Sequence, residues 1–99
     1  MYLDMALESM YQGILDMRPQ VNYRASQNWS DFILMNEVLD SIENIILNKK
    51  MSLEWYSKMG IIINDLHEEL QTMEDIKWLR MRINDASDLI KEAEKTASF

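Results

Sequence analysis

Leu3, Leu7, Met10, Ile14 and Met17 follow one another at steps of four, three, four and three residues. At about 100° of rotation per residue, this spacing puts all five on one stripe of an α-helix. A β-strand, whose side chains alternate, would scatter them over both faces. The same rhythm returns at Val21, Ala25, Asn28, Phe32, Met35, Leu39, Ile42 and Ile46. It returns again at Met59, Ile62, Ile63, Leu66, Leu70 and Met73, with Trp55 ahead of them, and at Ile76, Leu79, Ile83, Ala86, Ile90 and Ala93. The 99 residues hold two Gly and one Pro, too few turn formers for a sheet or a loop-rich fold. The chain therefore reads as all-α.

Breaks in the rhythm set the expected elements. Pro19 cannot donate to the carbonyl four residues back and crowds it, and it also pushes Arg18 out of helical geometry. A first helix is expected over 2–17, with Pro19 then opening a second over 20–48. Ser26, Asn28, Ser30 and Asp31 are weak helix formers, so a second placement starts that helix near Trp29 with Asn28 as its cap. In the long-helix reading Asn28 is a polar residue in the seam, able to fix register. Lys49 and Lys50 place positive charge where a helix C-terminus favours it. Ser52 is a natural N-cap for a third helix over 53–71, Met51 and Tyr56 occupy its hydrophobic-staple positions, and Glu54 and Lys58 form an i,i+4 pair.

No Gly or Pro lies between 61 and 96, yet the apolar centres of 59–73 and 79–93 differ by roughly 120° at 100° per residue. That phase shift predicts a break near Gln71-Thr72, with Thr72 as cap and Asp75 as capping-box partner of a fourth helix over 73–96. Short connections favour antiparallel neighbours, so the expectation is a small antiparallel four-helix bundle. It forms a single helical domain, 1–99, whose tail 95–99 frays.

Charge and composition narrow the function. The formal charge of −7 argues against a broad phosphate-binding face and fits a basic protein partner. No cysteine is present, so neither a disulfide framework nor a thiolate site is available. The N-terminus carries Asp4 and Glu8 rather than a basic leader, and the longest apolar runs, 32–35 and 61–63, are far shorter than a membrane span. A soluble, intracellular, cytoplasmic protein without membrane contact is expected. Asn28-Trp29-Ser30 then reads as an incidental sequon.

The stretch most like chemistry is Asp65-Leu66-His67-Glu68-Glu69-Leu70, which holds the single histidine. On a helix its polar residues diverge: Asp65 about 100° from the core side, Glu68 nearly opposite it, His67 and Glu69 flanking the stripe on its two sides. A zinc site needs three or four convergent ligands, commonly including more than one His, and a di-iron bundle needs two Glu-x-x-His units. Neither pattern is present. All-α nucleotide pyrophosphohydrolases hold magnesium with paired carboxylates three residues apart on two core helices. Glu37 with Asp40, and Asp65 with Glu68, imitate that spacing. Their phase points Glu37, Asp40 and Glu68 away from the apolar stripes, so this enzyme reading ranks below the non-catalytic ones. No glycine-rich phosphate loop exists, and one His without Cys leaves few nucleophile–base pairs. No catalytic residue, metal site or cofactor is expected.

What remains is surface. Met5, Leu15, Ile33, Leu34, Leu47, Ile61, Trp78 and Met81 fall off the main stripes, and nine Met is high for this length. Trp78 and Met81, three apart, make a small patch of interface-prone types. The expected function is a non-enzymatic helical interaction module, a small regulator or inhibitor that binds another protein and also itself. The residues expected to carry those contacts are Trp78, Met81, Leu15, Ile33, Leu34 and Leu47. The alternative is an acidic decoy of a nucleic-acid-binding protein, its surface made by Asp65, Glu68, Glu69, Glu37 and Asp40 if their two helices lie side by side. Lys77, Arg80 and Arg82 around Trp78 resemble a single-strand-binding cluster, but they do not share one helix face, so direct nucleic-acid contact is not expected.

Overall fold

A computed structural model describes residues 2–73 and 75–96, with side chains from residue 5 onward. Leu3, Asp4, Glu74 and the last three residues of the tail lie outside the side chains so described. Four helices follow one another: α1 (Tyr2–Ser26), α2 (Ser30–Asn48), α3 (Leu53–Thr72) and α4 (Ile76–Glu94). No strand occurs among the described residues. The fold is a small all-α four-helix bundle.

The first boundary differs from expectation. Pro19 does not end α1; it lies inside it, on an exposed face. The missing N–H leaves the Leu15 carbonyl without its helical donor, and an interior proline costs about 3 kcal/mol. Met10, Ile14, Met17 and Val21 form one stripe that runs past Pro19 and is 0–6% exposed. Burying such side chains is worth about 1.5–3 kcal/mol each. Continuing the helix aligns Val21 with the residues before Pro19, and it also puts Gln20 on the Leu70 carbonyl and Asn22 on Asn36; together these offset the local cost.

The break falls at 27–29, inside the run that holds the weak helix formers Ser26, Asn28, Ser30 and Asp31, and α2 starts next to Trp29, as in the second placement read from the sequence. Asn28 takes a left-handed conformation, φ 64°. The Asn28 N–H donates to the Ala25 carbonyl and the Trp29 N–H to the Arg24 carbonyl. This pair of bonds is a Schellman motif, with Asn in the place usually held by Gly. Asn28 therefore closes α1 from behind; it is neither in a seam nor the cap of α2. The Arg24 guanidinium lies over the Trp29 and Phe32 rings, 5.3 and 5.5 Å from their centroids, and ties the turn to both helices.

The start of α3 is as expected. The Ser52 side chain accepts from the Trp55 N–H at 3.1 Å, and the Tyr56 hydroxyl accepts from the Met51 N–H at 3.0 Å. Lys58 pairs with Glu54 at 3.1 Å. The α3–α4 break lies slightly later than Gln71-Thr72. Met73 turns left-handed at φ 52°, and Asp75, not Thr72, caps α4 by accepting from the Lys77 and Trp78 N–H groups. Thr72 donates back to the Glu69 carbonyl. In the tail, the Lys95 and Thr96 N–H groups bond to carbonyls of α4's last turn.

The neighbour relations differ from a simple up-and-down bundle. α1 packs against α2 and α3, and α4 packs against the same two; α2 and α3 sit on a diagonal. Arg18 reaches Asp40 while Asn22 meets Asn36, so α1 and α2 run antiparallel. Trp55 at the start of α3 donates to Leu89 late in α4, while Asp65 meets Arg82, so α3 and α4 are antiparallel too. Asp31 and Lys49, at the two ends of α2, reach Arg80 and Ala93 towards the matching ends of α4, and those helices are parallel. The molecule is two helical hairpins stacked with like helices side by side. Its short 49–52 connector crosses a diagonal instead of joining neighbours.

The core lies between the hairpins. It is one cluster drawn from all four helices, with Met10, Ile14, Met17 and Val21 of α1, Phe32, Met35, Leu39 and Ile42 of α2, Trp55, Leu66 and Leu70 of α3 and Leu79 and Ile83 of α4 all buried. Among the described residues no polar or charged side chain is buried. No helix is long and apolar enough to cross a membrane, within the same residues.

Candidate functional site

An open groove of about 1040 Å³ runs between α1 and α3. Its lining begins with the sequence on each helix. On α1, Ala6, Ser9, Gly13 and Asp16 recur at helical spacing on the side towards α3; on α3, Ser57, Gly60, Asn64 and His67 do the same towards α1. Small side chains on both walls keep the seam shallow and leave space above it. Met10, Tyr56 and Ile63, all buried, lie beneath. Met5, 71% exposed, and Ile61, 58% exposed, stand at its sides. From Met5 to Asp16 the groove follows about 16 Å of α1, at 1.5 Å per residue.

The two glycines of the chain both lie here, in helix interiors, where each costs about 1 kcal/mol against alanine. Gly13 has a packing reason: a Cβ there would come within 3.2 Å of the Ile63 Cγ2, so its absence lets α1 approach α3. Gly60 has none among the described residues. A Cβ on it would meet only the Met10 Sδ, at 4.0 Å, an ordinary contact.

The residues of 65–70 go to separate places. Asp65 and Asp85 both receive the Arg82 guanidinium. Glu69 accepts from the Asp75 N–H at 3.0 Å and so holds the α3–α4 turn. Glu68 is exposed, and His67 lines the groove, half-buried. Glu37 and Asp40 are exposed on α2, where Arg18 takes Asp40 at 2.5 Å and also reaches Glu43. Because α2 and α3 are diagonal, the pairs Glu37–Asp40 and Asp65–Glu68 are not brought together around a common point. For the same reason the two acidic runs do not merge into the single surface expected if their helices lay side by side. Among the described residues, no group of three or more His, Asp and Glu side chains is placed to hold a metal ion.

The six apolar residues expected to carry partner contacts are all exposed, at 39–64%. The structure does not gather them. Trp78 and Met81 lie on α4, and the Trp78 ring is covered on one side by Arg82, 4.9 Å from its centroid. Leu34 lines a crevice of about 210 Å³ between α2 and α4, with Glu37, Ser41, Ser87 and Lys91. Leu15 is on α1, diagonal to α4, and Ile33 and Leu47 are on outer parts of α2. Sequence reading singled out Met5 and Ile61 as off-stripe but missed the groove between them. The available signal was the pair of glycines, each far from any turn in the middle of an apolar repeat.

Asp31 and Arg80 form a bidentate pair at 2.8 and 3.0 Å between α2 and α4. The Arg80 hydrogen bonds hold the Asp31 carboxyl below its ordinary value, against the opposing effect of partial burial. The same bonds raise Arg80.

Comparison of the chain with protein families, with curated proteins and with solved structures gives no match in any of the three.

Proposed function

We propose that this chain is a non-catalytic helical interaction module that binds a segment of another protein in the α1–α3 groove. The observation that carries this reading is Gly60. It sits in a helix interior with nothing among the described residues requiring a glycine, in an open groove flanked by two strongly exposed apolar side chains. Unfilled space above a glycine lets a foreign backbone come close, as when a helix lies in a groove. The groove is open and elongated, which suits a peptide better than an enclosed small molecule. The dispersed residues Trp78, Met81, Leu15, Ile33, Leu34 and Leu47 supply no comparable continuous face. Self-association, the other partner expected from surplus apolar surface, would have to use one of those smaller sites or the groove itself.

The test is site-specific photocross-linking in the native cell. A cross-linker at Ser57, in the groove, is expected to trap one protein that a cross-linker at Asn44, on α2, does not. Ile61→Arg, an exposed substitution whose folding is checked by helical circular dichroism, is expected to remove that adduct. Equal trapping from Ser57 and Asn44, or an adduct indifferent to Ile61→Arg, overturns the proposal.

A further inference from the structure

We infer that the occupant of the α1–α3 groove is an amphipathic helix carrying two positive charges about two turns apart. This deepens the reading above and rests on it. Besides the Tyr56 hydroxyl, the ionisable residues lining the groove are Glu8, Asp16 and His67; among the described residues no Lys or Arg lines it. Among the described residues, neither Glu8 nor Asp16 has a cationic partner; Asp16 accepts only from the Gln12 side-chain amide, at 2.9 Å. The nearby cations are engaged elsewhere. Arg18 holds Asp40 and Glu43, and Lys58 holds Glu54. Arg82, on α4, holds Asp65 and Asp85.

The spacing gives the occupant its pattern. Glu8 and Asp16 are eight residues apart on one helix, hence about 12 Å apart along its axis. A helix lying along the groove meets both with Lys or Arg at i and i+7 or i+8. Its apolar face between them rests on Met10, Tyr56 and Ile63 and against Met5 and Ile61. Small residues along Ala6, Ser9, Gly13, Ser57 and Gly60 let that face sit deep, within the 8–10 Å at which helices pack. A second copy of this chain fits the site poorly. It carries another −7, and α1 has no Lys or Arg before Arg18. Rim charges of one sign select an oppositely charged partner and disfavour a like-charged one.

The experiment uses the full chain and two fluorescein-labelled peptides of roughly 18 residues, long enough for about five helical turns. Both have a Leu/Ala face; one carries Lys at i and i+7, the other Glu at the same positions. Anisotropy is expected to show the Lys peptide binding and the Glu peptide binding at least tenfold more weakly. Glu8→Gln with Asp16→Asn, both surface changes, is expected to weaken the Lys peptide about three- to tenfold, as two rim pairs would. Added salt should give a similar loss. Ile61→Arg should abolish binding of both peptides.

The failures separate. Equal binding of both peptides, lost in Ile61→Arg, keeps the groove and overturns the charge inference. Binding of the Lys peptide that ignores Ile61→Arg, or no binding of either peptide, overturns the groove reading as well. Sedimentation showing a dimer of the chain alone that Ile61→Arg dissolves makes a second copy the occupant and also overturns the charge inference.

Discussion

The Lys49 ammonium donates to the Ala93 carbonyl oxygen at 2.7 Å, so the residue that ends α2 closes the end of α4. It reaches the Thr96 carbonyl as well, at 3.2 Å. Positive charge at a helix C-terminus and added hydrogen bonds to its last carbonyls both stabilise that end. Because α2 and α4 are parallel, the cation benefits both helices at once. Lys49→Met keeps much of the aliphatic stem and removes the donor. It is expected to cost about 1 kcal/mol in urea denaturation. Hydrogen exchange should quicken in α4's last turn rather than uniformly. A uniform change would show that Lys49 acts through the whole bundle.

Pro19 interrupts the hydrogen-bond ladder of a helix that is otherwise continuous from Tyr2 to Ser26. Pro19→Ala returns one N–H to the Leu15 carbonyl at an exposed position and removes the ring's crowding. It is expected to stabilise the protein by about 1–3 kcal/mol, read by thermal or chemical denaturation. A loss of stability would mean that the helix needs the local deformation proline imposes.

Gly60 and Gly13 are both mid-helix, and their environments separate them. Gly60→Ala places a methyl against nothing closer than the Met10 Sδ at 4.0 Å. It should gain about 0.5–1 kcal/mol from the lower entropy of the unfolded chain. Gly13→Ala presses a methyl to 3.2 Å from the Ile63 Cγ2, so part or all of the same gain is lost to repacking. Parallel melting curves of the two variants should therefore differ, Gly60→Ala being the more stable. The same Gly60→Ala change is expected to weaken partner binding. A protein that gains stability and loses its ligand is the signature of a glycine kept for function.

Asp31 ties its stability contribution to pH. Its carboxyl titrates below the ordinary 3.8, chiefly because Arg80 hydrogen-bonds the charged form. The folded state thus binds fewer protons than the unfolded state as pH falls through this region. The contribution is fully present above the unfolded value and is lost as pH drops through the lower folded one. Wild type is expected to exceed Asp31→Asn in unfolding free energy at neutral pH, with the gap closing below about pH 4. A gap independent of pH down to 2 would show that the pair does not sense protonation.

Helical class, the number of helices and nearly all of the buried stripe were legible in the sequence, because apolar spacing reports directly which side of a helix is covered. The capping of α3 by Ser52 was legible for the same reason: it depends on residues close in sequence. The α1–α2 boundary shows where local rules lose. Val21 stands four residues after Met17 and prolongs the first stripe across Pro19, so the periodicity already held the answer that proline's reputation obscured. Which helices are neighbours was not legible, since short connectors permit either an adjacent or a diagonal partner. The groove depends on that choice: Gly13 meets Ile63, and Gly60 meets Met10, across one seam only because α1 packs beside α3.

The diagonal crossing at 49–52 also bears on how the molecule assembles. Each antiparallel hairpin is closed by a brief turn, so half of the helix–helix seams form between segments close along the chain. Such local closure is fast, and each half can collapse as its own kinetic unit. The slow event is then the meeting of two preformed halves. Residues that bridge them, Gln20 to Leu70 and Asp31 to Arg80, should report the rate-limiting encounter and not the early steps.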